Sequence, residues 1–334
     1  MGIWSDLWVA ESKDWAFSRI GGWSAGPALQ PKKTYVSVMI QQLHISNVRV
    51  GFSKFYGTVQ SYARLPHMSG HAAEFTAVTT PAQLRDVPRK NLDRFVLSGH
   101  RLLGPVPFMG GDLELEIGLF SVKSQDMLKP YLDLLNELSK AAGVSISSVA
   151  APYLSPLKRG VELLTTAEGG ATLEIGVSAT FDTLREGTYF VARLDSANRD
   201  ISKFAVDVNH RLLDENGNPI RDAPYIVFSI DQHHARDDWF MIPSIASAHA
   251  KLNDVVQSRR SNFKLVSSHQ ERFKRVVMDD PDILPDHADD IIDWVSEQVN
   301  KKLGALKTSG GGAGTALPPL NDLKLRDLRQ DQIG

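Results

Sequence analysis

Residues 111–122 read GDLELEIGLFSV. Leu113, Leu115, Ile117 and Leu119 fall on alternate positions, with Glu114 and Glu116 between them. A two-residue period sends successive side chains to opposite faces, so this stretch predicts a strand with one apolar face. A related phrase, ATLEIGVSATF from Ala171, repeats LEIG, as expected of paired strands in one sheet. Further strands are expected at Tyr35–Val50, Phe55–Leu65, Glu74–Thr79, Phe95–Leu103, Thr188–Leu194, Phe204–Val208 and Tyr225–Ile230. Between the last two, DENGNP (214–219) contains Asn216-Gly217, a turn pair that tolerates positive φ.

Elsewhere the period lengthens. Leu128, Tyr131, Leu132, Leu135 and Leu138 are spaced for a helix near 125–142, and a second helix is expected near 154–166. From Ile245 the pattern predicts helix only, as Ile245–Val277 and Ala288–Leu303. DDPDILPD (279–286) divides them, its two prolines breaking the helix and Asp286 suited to capping the next one. Strands that come in runs, not alternating with helices, predict an α+β chain rather than a doubly wound parallel sheet. The expected architecture is an antiparallel β-sandwich with helical insertions and a C-terminal helical region. Four regions follow: a Trp-rich arm and linker at 1–33, the β-rich region at 34–242, the helical region at 243–303, and a Gly linker with a Leu-rich tail at 304–334. The β-rich region is similar in pattern to sandwich folds including C2-like ones, which implies fold and nothing about function.

Composition narrows the chemistry. The 334 residues hold 37 Lys+Arg against 39 Asp+Glu, a formal charge of −2, which argues against a polyanion-binding surface spread over the whole protein. Cysteine is absent, which excludes disulfides, Cys-ligated metal sites and thiol nucleophiles. No apolar run of membrane-spanning length occurs, and Asp6 and Glu11 interrupt any signal-peptide core, so the expected location is cytoplasmic. No GxSxG elbow or GK[ST] phosphate loop is present, and no cofactor is expected.

The remaining candidates are clusters. Asp231, His233 and His234 spill from the end of the strand YIVFSI, a ligand set suited to a borderline metal if a third ligand arrives from elsewhere. The bland alternative is a polar loop in which Arg236 pairs with Asp237 or Asp238. His67, His71 and His100 form a second group, and the aspartates of DDPDILPD a weak calcium candidate beside ordinary capping. Trp4, Trp8, Trp15 and Trp23 crowd the N-terminus, and helical spacing would gather Trp4, Trp8 and Trp15 with Leu7 into one stripe, either folded back onto the protein's own core or offered to a partner. At the other end Leu320, Leu323 and Leu328, at helical offsets of 3 and 8, suggest a tethered hydrophobic motif, the alternative being a disordered terminus.

Charge is segregated in the helical region. Residues 251–275 hold seven bases, including Arg259, Arg260, Arg272 and Arg275, against Asp254 and Glu271. Residues 279–297 hold eight acids, including Asp289, Asp290 and Asp293, and no base. Such blocks can neutralise each other between antiparallel helices or pair with a second copy. Acids beside the basic block would repel nucleic-acid phosphate. Adhesive features at both ends point to a non-catalytic scaffold or adaptor in a cytoplasmic multiprotein or homo-oligomeric assembly. A metal-dependent hydrolase at Asp231/His233/His234 is the alternative from a different class, and a lipid-associating sandwich module, with membrane contact, ranks third.

Overall fold

The computed structural model describes residues 15–46, 49–50, 53–68, 70–78, 94–97, 99–123, 171–194, 199–258, 262–308 and 316–325. The helices expected near 125–142 and 154–166 lie outside the described residues, as do Trp4, Trp8, Arg259, Arg260 and Leu328. The chain is α+β with mostly antiparallel sheets, and it divides into two units. The first is built from the N-terminal residues up to Gln30 with Val36–Gly104 and Met109–Gln232. The second takes Pro31–Tyr35, Pro105–Phe108 and the residues from His233 onward.

The thirteen described strands, in chain order, are β1 (Trp15–Arg19), β2 (Tyr35–Ser46), β3 (Arg49–Val50), β4 (Ser53–Pro66), β5 (Ala72–Val78), β6 (Arg94–Leu97), β7 (His100–Pro107), β8 (Leu113–Lys123), β9 (Ala171–Phe181), β10 (Gly187–Arg193), β11 (Ala205–Val206), β12 (Leu212–Leu213) and β13 (Tyr225–His233). One sheet runs β1-β10-β13-β2-β6, with β7 also paired to β2. Trp15 therefore lies on a strand, where a helix is expected. Phe17 pairs with Val191 and Ser18 with Phe190 along β10, so extended backbone competes successfully for this segment. The continuous strand expected at Phe95–Leu103 is interrupted at Gly99, whose φ is +69° and whose N–H bonds to the Ile40 carbonyl at 2.9 Å.

The second sheet runs β3-β4-β8-β9, with β5 on β4. The repeated LEIG does mark neighbouring strands: β8 and β9 pair antiparallel, with Gly118 opposite Gly176. Leu113, Leu115, Ile117 and Leu119 are all buried, as the alternation predicts. The other face is more enclosed than its glutamates suggest, for Glu116 is only 2% exposed. Here Arg64 bonds to Glu114 at 2.6 Å, and the Tyr62 hydroxyl donates to Glu74 at 2.8 Å. Burial, and then the Glu74 carboxylate, raise the Tyr62 phenol well above its ordinary range.

β11 and β12 form a small ribbon beside a core of Phe190, Phe204, Leu212, Tyr225 and Val227. The expected Asn-Gly turn is present: Asp214 Oδ1 accepts from Asn216 N and Asn218 N, and Gly217 has φ +80°.

The helical region contains α1 (Pro243–Gln257), α2 (Phe263–Met278) and α3 (Pro285–Thr308). The single stretch expected over Ile245–Val277 is thus two helices. Asn262 adopts an extended conformation and its side chain accepts from Leu265 N, capping α2 and ending any continuous helix. Asp286 sits inside the first turn of α3 and not ahead of it, so it serves the helix dipole instead of the cap. Ile245, Leu252 and Val256, with Val266, Phe273 and Val277, give α1 and α2 their buried faces.

Candidate functional site

The densest polar arrangement among the described residues lies within the helical unit, around Arg236. Its guanidinium has no exposed side-chain surface. Nε donates to Asp238 Oδ1 at 2.5 Å, Nη2 lies 3.4 Å from Asp238 Oδ2, and Nη1 donates to the Asp282 carbonyl at 3.3 Å. The Asp282 carboxylate is 3.9 Å from Nη1 and 2% exposed. Asp282 N–H in turn bonds to Asp280 Oδ1 at 3.0 Å, and Ser244 at the start of α1 donates to Asp280 Oδ2. The pairing of Arg236 with Asp238 matches the loop reading of the sequence, but the two paired residues are buried where a solvated loop was expected. A buried guanidinium needs its charge met and its donors filled, and this fork does both.

Tyr35 completes the cluster. Its hydroxyl accepts from Leu284 N–H at 2.9 Å and lies 2.9 Å from His287 Nδ1, while the two rings stack 5.3 Å apart. Burial raises the Tyr35 phenol far above its ordinary range, against the opposing pull of the Leu284 N–H and Arg236. The hydroxyl is therefore neutral and acts as a fixed hydrogen-bonding post. The whole arrangement ties the DPDIL loop between α2 and α3 to Arg236 and Tyr35. Asp280 and Asp282, calcium candidates by composition, spend their oxygens on Ser244, Arg236 and backbone.

The other candidates fall as follows. Asp231 Oδ2 accepts from Ser229 Oγ at 2.6 Å, and Ser229 itself accepts from Gln41 Nε2 at 2.7 Å, a polar ladder across β2 and β13. His233 closes β13 and His234 follows it, both half-buried. Among the described residues no three His, Asp or Glu side chains come together as a metal-holding group. His67 and His71 bracket the β4–β5 turn, joined through their backbones at 3.2 Å, with His67 buried and His71 exposed.

Trp23 is 52% exposed and caps an aromatic cluster in the sheet unit, 5.2 Å from Phe17 and 6.1 Å from Tyr189. Beneath it Arg19 donates to the Gly22 and Glu186 carbonyls and lies over the Tyr189 ring, a part for this residue that no motif announces.

Of the charged residues, Arg272, Arg275, Asp289 and Asp293 are exposed and Asp290 is half-buried. The charge blocks are met partly within helices, by Lys274–Glu271 at 3.0 Å and Lys301–Glu297 at 2.6 Å. The acidic block also sends Asp280 and Asp282 inward. At the C-terminus Leu320 is buried and Leu323 half-buried.

No protein-family model matches this chain, and no curated protein or solved structure matches it either. No described helix is long and apolar enough to cross a membrane.

Proposed function

We propose that the protein is a non-catalytic scaffold or adaptor that works by contact within a homo-oligomeric or multiprotein assembly, in the cytoplasm. The observation that carries this is the outer surface of α2. Phe263 is 65% exposed, Met278 63% and Leu265 40%, and Arg272 and Arg275 are exposed on the same helix. Aromatic residues, methionine and arginine are the types enriched where proteins meet, and leaving a Phe in water forgoes the roughly 1.5–3 kcal/mol its burial brings. Met241, 48% exposed, adds to this surface chemistry in the same unit, and Trp23 supplies a comparable anchor on the sheet unit. The buried charges around Arg236 are engaged with one another, which suits a framework more than a reaction centre. In this reading the two antiparallel sheets are the layers of a β-sandwich of C2-like kind, serving as a rigid platform.

The test is the mass of the full-length protein, alone and recovered with its native neighbours, against that of the F263S/M278S variant. Assembly in the parent is expected, with at least about a tenfold weaker association in the variant, a 1.4 kcal/mol loss. Circular dichroism should show both equally folded, since both side chains face solvent. A monomeric parent that recovers the same neighbours whether or not these residues are changed would overturn the reading.

A further inference from the structure

The C-terminal leucines are seated in a way their helical spacing does not predict. Pro319 has φ −58° and ψ 145°, the polyproline II conformation, and residues 320–322 then form a 3-10 turn. Both geometries advance three residues per turn, so Leu317, Leu320 and Leu323 share one side. Leu317 is 6% and Leu320 7% exposed and Leu323 is half-buried, while Pro319, Asn321 and Asp322 between them are exposed. The backbone is held at one place: Leu317 N–H donates to Asn253 Oδ1 on α1 at 2.7 Å. Pro318 and Pro319 carry no N–H, so the segment asks little more of its host in hydrogen-bond acceptors.

This is how proline-rich ligands are recognised: an extended segment with little ordering entropy left to lose, apolar side chains at a period of three, and one side chain of the host fixing the backbone. We infer that the surface around Asn253 is a docking site for a leucine–proline segment. Residues 316–325 hold it as an exchangeable ligand, and the occupant in trans is the same segment of a second copy. This deepens the assembly reading by naming one contact through which copies would join. Between α3 and this segment the sequence is SGGGAGT, four glycines in seven residues, the composition of a linker and not of a helix.

The experiment uses the full chain with a protease site placed within residues 310–314. A fluorescent peptide of residues 316–325 is the probe, read by anisotropy. Uncleaved protein should bind it at least about tenfold more weakly than cleaved protein, because the tethered copy competes at an effective concentration of about millimolar. A probe carrying L317D/L320D should not bind, and N253A should weaken binding in the cleaved protein. Separate full-chain copies labelled at A316C and at D254C, unique in a cysteine-free background, should show energy transfer when mixed at high concentration. Equal binding before and after cleavage, a fragment that never exchanges, collapse of the helical signal on cleavage, or no transfer between copies would each overturn the inference. Probe binding retained in F263S/M278S separates this site from the α2 surface, so either idea can fail without the other.

Discussion

A guanidinium with no exposed surface must find its counter-charge inside the protein, and Arg236 finds it in Asp238 and Asp282. Removing the cation takes its positive charge away from two buried carboxylates, so R236M is expected to cost about 3–5 kcal/mol. Denaturant midpoints measure this. A control at exposed Asp279, D279A, should stay within about 0.5 kcal/mol. Half of this arrangement is legible in the sequence, since Arg236 and Asp238 are two residues apart beside a strand. The other half is not. An aspartate in DDPDILPD has the composition of a solvated cap, and only folding brings Asp282 to a base 46 residues earlier. Tyr35 escapes sequence reading for the same reason: in TYVSVMI it is one more strand residue, and its partners Leu284 and His287 are some 250 positions away.

Elements are more legible than contacts where the local pattern is itself the cause of the structure. The alternation in β8 is what buries Leu113, Leu115, Ile117 and Leu119, so period and face agree. The break between α1 and α2 is hidden because the apolar spacing continues on both sides and Asn262 resembles any polar surface residue until its side chain turns back to Leu265 N. N262A should therefore cost about 1 kcal/mol of stability, the usual loss for a cap, with N262D retaining most of it. The tail misleads in a related way. Leucines three apart fit a helix, a 3-10 turn or polyproline II, and the prolines decide the matter against the helix. Within the sheets, Gly104 is the position least able to change. Its φ is +88°, and an added Cβ would collide with the Val36 carbonyl oxygen and come within 2.8 Å of Ser37 Cα. G104A forces backbone apart along β2–β7, and a loss beyond about 1 kcal/mol is expected in equilibrium unfolding.

Across the whole molecule, acid should act on the two units through different histidines. Burial holds His100 in the sheet unit and His249 in the helical unit below the ordinary imidazole value of 6.5. His249 presents its ring to Phe273 at 6.2 Å, an apolar neighbour that offers no stabilisation to an imidazolium through a hydrogen bond. In the folded protein both rings stay neutral where the unfolded chain already takes protons. Below about pH 6.5 the unfolded state therefore binds more protons, and stability must fall as the pH falls, until the folded-state value is passed. Asp280 acts in the opposite sense at lower pH. Burial raises its carboxyl above the ordinary 3.8, against the opposing pull of the Ser244 hydroxyl and the Asp282 N–H, while the Asp282 carboxylate adds a smaller push upward. As the pH falls into the carboxylate range the folded state takes this proton first, which favours folding. H249Q should flatten the acid-side slope of the helical transition while leaving the sheet transition in place, and H100Q should do the reverse. D280N should remove the opposing rise in the carboxylate range and leave the histidine slope intact. Unfolding curves collected from about pH 7 to about pH 4 separate these contributions, and an H249Q profile that overlays the parent would show that this histidine's burial carries no stability.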